Sequence, residues 1–155
     1  MAIRKIRVDE DPILKKKSRT VDVFDDKLHC LLDDMYETLK KEEGVGLAAV
    51  QVGVLKRVVV VDTGDGLLEL VNPEVISGEG EQKVAEGCLS LPGRVGVTLR
   101  PFTVKIKAQD RDGHWHIYKV EDLKARCFCH EIDHTNGILF SEKLAPGEVL
   151  RHRED

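Results

Sequence analysis

The run His130-Glu131-Ile132-Asp133-His134 puts two histidines four residues apart, with a glutamate directly after the first. On a helix that spacing stacks both imidazoles on one face, so they reach a single metal ion while Glu131 meets a metal-bound water beside them. The chemistry such a motif suits is metal-assisted hydrolysis. A catalytic metal also needs a third protein ligand and an open position. A downstream glutamate is one source, and Glu142 and Glu148 are available; a third histidine six residues after the second is another, but Phe140 stands there. Cys88 is a further candidate, set in Glu86-Gly87-Cys88-Leu89-Ser90-Leu91-Pro92-Gly93, where glycine and proline can fix backbone amides in space. Its bland alternative is a buried free thiol. In a third segment, Gly44-Val45-Gly46-Leu47-Ala48-Ala49-Val50-Gln51, the two glycines permit close backbone approach to a ligand. That segment lacks the third glycine and the preceding strand of a dinucleotide site.

These segments need elements to hold them. Leu123, Cys127, His130 and His134 fall along one helical stripe and Ala125, Phe128 and Ile132 along another, which predicts a helix from about Asp122 to Asn136, covered on more than one side and ended by Gly137. From Asp25 to Glu43, Leu28, Leu31, Leu32, Met35 and Leu39 recur at helical spacing, with acids early and Lys40-Lys41 late to match the helix dipole. Cys30 lies off that stripe, as a small packing residue or a surface thiol. Asp11-Pro12 opens a short helix that runs into Lys15-Lys16-Lys17. Between the long helices the chain reads as strands: Val58 to Val61, Leu67 to Val71, Val95 to Leu99, Phe102 to Lys107 and Trp115 to Val120. The turns Thr63-Gly64-Asp65-Gly66 and Asp110-Arg111-Asp112-Gly113 are short, which implies antiparallel pairing. The tail from Leu139 to Asp155 receives no structure.

With 155 residues and 41% hydrophobic content the chain is expected to form one domain over 1–155 with a substantial core. Its 28 acids against 24 bases leave a formal charge of −4, which disfavours a DNA partner. No stretch has the length and apolarity of a membrane helix, and the opening residues lack an apolar signal segment, so the expected location is the cytoplasm or an organelle after maturation. There Cys30, Cys88, Cys127 and Cys129 are thiols or metal ligands rather than disulfides.

Taken together, the three segments resemble the peptide deformylase family, whose motifs G-x-G-L-A-A-x-Q, E-G-C-L-S and H-E-x-D-H all occur here in order, at Gly44 to Gln51, Glu86 to Ser90 and His130 to His134. The looser likeness runs from Asp11-Pro12 through Asn72-Pro73 to Gly137. Thr135 departs from the leucine usual after the second histidine, and the tail is shorter than in members with a long C-terminal helix.

The resemblance implies an α+β fold, mostly antiparallel sheets packed around the helix that bears the metal motif. It implies that Cys88, His130 and His134 hold one divalent ion with water in the fourth position. The resemblance also implies Fe(II) as the physiological metal, with zinc, nickel or cobalt accepted. The implied reaction is hydrolysis of the N-formyl group from the formyl-methionine of new polypeptides, releasing formate. Glu131 would be the general base and then the acid, with the Leu89 N–H and the Gln51 amide as oxyanion donors. Backbone near Val45-Gly46 and Gly87-Cys88-Leu89 would pair with the peptide as a strand. Val45, Leu123 and Cys127 would line the methionine pocket, with Arg126 bordering it or reaching solvent. Glu86 or Asp133 would support a ligating histidine or pair with Arg100, and Ser90 would brace its loop. The expected partners are formyl-methionyl nascent chains, with room for transient ribosome contact, no membrane, and a monomeric enzyme.

Two rival readings make different demands. A general peptidase of the H-E-x-x-H type would leave Cys88 without a role. A structural zinc site of Cys127, Cys129, His130 and His134 would need ligands from one helix that point around its axis.

Overall fold

Helix α1 (Asp26–Lys41) starts where the sequence supplies an acceptor: the Asp25 carboxylate takes the Leu28 N–H at 3.1 Å. The structure, a computed structural model, describes residues 2–153. Met1, Glu154 and Asp155, the ends of the expected 1–155 domain and of the unassigned tail, lie outside the described residues. The expected stripe of α1 is buried, joined by Asp34 and Thr38. Asp34 is held by the Ala2 N–H at 2.7 Å and by Arg4, and these partners draw its carboxyl below the ordinary range although burial alone would raise it.

Five antiparallel strands form the first sheet, in the order β1 (Gly46–Ala48), β2 (Val58–Val61), β3 (Leu68–Glu79), β6 (Thr103–Gln109), β7 (Trp115–Glu121). A second, antiparallel sheet contains β4 (Gln82–Cys88), β5 (Leu91–Arg100) and β8 (Arg151–His152). The four consecutive valines of β2 have a simple cause. Val58 and Val60 pack with α1, whereas Val59 and Val61 pack with α2 (Asp122–Thr135), so both faces are covered and alternation disappears. Where only one face is covered, in β6, Val104, Ile106 and Ala108 are buried and alternate with less buried Thr103, Lys105, Lys107 and Gln109.

Helix α2 is thus enclosed. Ala125, Phe128 and Ile132 meet the five-stranded sheet, and Phe140 from the tail stacks on His130 with ring centroids 5.9 Å apart. Gly137, at φ +75°, ends the helix as expected. A Cβ there would stand 2.5 Å from the Lys15 carbonyl oxygen, so the position also requires the close approach that only glycine allows.

The fold is α+β, as the sequence implied, and both short turns connect antiparallel neighbours. Several features differ from the sequence expectation: Gly46–Ala48 forms the short strand β1, and β5 begins at Leu91 rather than Val95. β3 does not end at Val71 but continues to Glu79, passing Asn72-Pro73 through a register shift where no ladder N–H is required of proline. β4 was not foreseen, because Gln82-Lys83-Val84-Ala85-Glu86-Gly87-Cys88 lacks an apolar alternation; its buried Gln82 and Glu86 are polar. The tail is not structureless: it forms a short turn at Phe140–Glu142 and then β8.

Candidate metal centre and active site

The register of β4 against β5 shifts between Glu86 and Cys88, and this irregularity turns the Cys88 thiol toward α2. Its Sγ lies 3.3 Å from His134 Nε2, which in turn is 3.2 Å from His130 Nε2. All three donor atoms fall within 4.8 Å of one another. Two nitrogens bound tetrahedrally to one ion at about 2.0–2.1 Å are roughly 3.3–3.4 Å apart, so the observed spacing fits a single ion. A thiolate with two imidazoles suits zinc, iron, nickel or cobalt rather than a hard cation.

The surroundings orient these groups. His130 Nδ1 donates to Glu86 Oε1 at 2.9 Å. Glu86 is gripped bidentately by Arg100, at 3.0 Å for each contact, and also accepts from Thr98. Arg100 in turn reaches Asp133 at 2.6 Å. Burial alone would raise the Glu86 carboxyl, but hydrogen bonds from His130 and Arg100 hold it down at about 2. Both expected supporting acids therefore act through Arg100, and Glu86 also touches the histidine.

Gln51 sits on the turn Ala49–Val52 and is buried. Its Oε1 accepts from the Ala48 N–H at 2.9 Å, which leaves Nε2 to face Ser90 Oγ at 3.0 Å and Cys88 Sγ at 3.6 Å. Ser90 thus braces this region, and its own N–H points at the sulfur from 3.4 Å.

Glu131 is 5% exposed, with Oε2 4.0 Å from His130 Nε2 and Oε1 lacking a hydrogen-bond partner among the described residues. Burial pushes its carboxyl up to about 7. Gly46 explains how the side chain fits: a Cβ there would come 2.7 Å from Oε2. Burial alone would lower His130, yet the Glu131 charge and the bonds to Cys88 and Glu86 raise it well above its ordinary range. Burial and the neighbouring His130 charge lower His134 well below its own.

A cleft of about 590 Å³ opens onto this group. Val45, Gly46, Gly87, Leu89, Leu123 and Cys127 all border it, so the structure brings every expected substrate-side residue to one place. Arg126 borders the cleft as well, tethered to Gln82 Oε1 at 2.7 Å and Asp122 at 3.2 Å. The thiol of Cys127 is pushed up to about 12 by burial, which makes it a wall group rather than a reactive one. Glu142 instead caps the Leu139 N–H at 2.8 Å and pairs with Lys15, and neither Cys127 nor Cys129 joins the metal-type group. Both rival ligand sets fail on this placement. Sequence reasoning did not find Arg94 and Arg153 at the cleft mouth, since the strand that carries Arg153 there was invisible.

Comparison with known proteins agrees. The polypeptide deformylase family profile matches residues 3–149. A peptide deformylase of Alkaliphilus metalliredigens is 55% identical over 93% of this chain and 98% of its own length. One from Acetivibrio thermocellus is 52% identical over 100% of this chain and 94% of its own. Among solved structures, the peptide deformylase of Thermotoga maritima superposes with a TM-score of 0.92 at 37% identity, covering 94% of this chain and all of the other. Among the described residues no helix is long and apolar enough to cross a membrane. Likeness of this length and identity leaves one conclusion: the chain belongs to the peptide deformylase family, metal-dependent hydrolases that act on the N-formyl group of new polypeptides.

Proposed function

We propose that this chain removes the formyl group from the formyl-methionine that begins nascent polypeptides, releasing formate, in the cytoplasm and as a monomeric single domain that meets the ribosome transiently. The observation that carries this reading is the grouping of Cys88, His130 and His134 around one point, beside the buried carboxylate of Glu131. These three side chains hold one divalent ion, Fe(II) in the cell. When bound, that ion supplies Lewis acidity and lowers the pKa of water toward neutrality.

Glu131 accepts the proton of the attacking water and returns it to the departing amine, a role suited to a carboxyl that burial has raised. The Leu89 N–H and Gln51 Nε2 are the donors to the tetrahedral oxyanion in this reading, with Ser90 Oγ beside the Gln51 amide to hold it in position. Val45, Leu123 and Cys127 receive the methionine side chain. Backbone at Gly46 and Gly87 pairs with the peptide; among the described residues β4 pairs with β5 alone, which leaves its other edge to take a strand.

The test is formate release from a formyl-Met peptide by protein loaded anaerobically with Fe(II), alongside an N-acetyl peptide and the Cys88→Ala protein. Formate from the first substrate only, lost in Cys88→Ala together with bound metal, is expected. Cleavage of internal peptide bonds that survives Cys88→Ala would return the general-peptidase reading.

A further inference from the structure

The mouth of the cleft is electrically lopsided. One lip, just past α1, carries Glu42 and Glu43; the other carries Arg94 of β5 and Arg153, which follows β8. Pairing brings Arg153 there. Arg94 lies opposite His152 across β5 and β8, and the Arg153 N–H donates to the Gly93 carbonyl at 2.7 Å, which lays the end of the chain along the outer edge of β5.

From that edge the Arg153 side chain extends toward β4. Its Nη2 lies 3.2 Å from where a Cβ on Gly87 would stand. Gly87 does not have a positive φ, so its backbone makes no demand for glycine; the missing side chain is what leaves room for the cation one residue from Cys88. Arg94 adds a second observation. Its Nε is buried and has no hydrogen-bond partner among the described residues, although the residue borders the cleft.

We propose that Arg153, with Arg94 beside it, is a specificity-determining residue that favours formylated peptides carrying an acidic side chain at one of the two positions after methionine. The proposal rests on the deformylase reading above. An extended peptide on the free edge of β4 sends successive side chains to opposite faces. While methionine enters the pocket at Leu123 and Cys127, the residues behind it pass between the lips. A carboxylate there meets a guanidinium fork in favourable geometry, whereas an ammonium meets repulsion from the same groups.

Formyl-Met-Xaa-Ala and formyl-Met-Ala-Xaa peptides, with Xaa as Asp, Ala or Lys, test this in the Fe(II)-loaded full chain. Because the arginines border open solvent, the expected preference for Asp over Lys in one series is about two- to fivefold in kcat/KM at low salt. It resides in KM and contracts at high salt. Arg153→Lys keeps the order of the peptides, and Arg153→Glu reverses it. Equal values across both series, or an order that survives Arg153→Glu, overturn the proposal. The Ala peptide separates the two levels of inference. If it is turned over with no charge order, selectivity alone falls; if it is not turned over at all, the deformylase reading falls and takes this proposal with it.

Discussion

Helices α1 and α2 are of similar length, 16 and 14 residues, and each buries a carboxylate, yet they treat it oppositely. In α1 the buried acid, Asp34, is fully partnered by Arg4 and the Ala2 N–H, and its carboxyl is drawn down. In α2 the buried acid, Glu131, keeps one oxygen without a partner and is pushed up. The rest of each helix follows suit. Beyond Asp34, helix α1 buries leucines, a methionine and a hydrogen-bonded Thr38, while α2 buries His130, Glu131, His134 and Thr135 among its apolar residues. Leaving a buried polar group unpaired costs about 1–3 kcal/mol. A helix that keeps such groups is shaped by something other than packing, whereas α1 is scaffold.

That contrast can be broken at several places. The largest effect is expected from removing the ion, by a chelator or by His134→Ala. Loss of several kcal/mol of transition-state stabilisation lowers formate release by roughly a thousandfold, and adding back Fe(II) restores the chelated protein but not the variant. Next comes Arg100→Leu, which strands the Glu86 carboxylate beside His130. It should cost about 3–5 kcal/mol in urea unfolding, and weaken metal binding as well. Leu32→Ala in α1 should cost about 2–5 kcal/mol, the transfer plus cavity cost of a leucine that is fully buried. Formate release per folded molecule should stay unchanged; a large drop there would mean that α1 is not mere scaffold.

The smallest effect is a pH dependence. The folded-state carboxyl of Asp34 lies below its ordinary value of 3.8. Its contribution to stability is therefore complete above that value and is lost as pH falls through the lower, folded one. Asp34→Asn should flatten the acid limb of stability against pH; an unchanged limb would show that Arg4 and Ala2 do not hold the charge.

The two helices were also the most legible parts of the sequence, for different reasons. Helix α1 announces itself by a stripe of Leu28, Leu31, Leu32, Met35 and Leu39 and by acids early and lysines late, and α2 by the spacing of its histidines. Cys88, Gln51 and Gly46 were legible through their motifs, and the structure gathers them around His130 and His134. What stayed hidden depends on partners distant in sequence. Glu86 and Asp133 were both named as possible supports, but that Glu86 takes His130 and Arg100 together, while Asp133 takes Arg100 alone, depends on the fold. β4 gives no apolar alternation because its buried face is polar, and β8 is two residues that are a strand only by pairing with β5. Pro73 looks like a strand end because a bulge cannot be foreseen from one strand alone.

The most direct test of the account is Glu131→Gln, measured for bound metal, thermal stability and formate release from a formyl-Met peptide in parallel with the unaltered protein. The account predicts one equivalent of metal in both, a melting temperature no lower in the variant, and formate release reduced by about 10²–10⁴. A variant that releases formate at the unaltered rate, with its metal in place, would contradict the assignment of proton transfer to Glu131 and with it the reading of α2 as a helix built around chemistry.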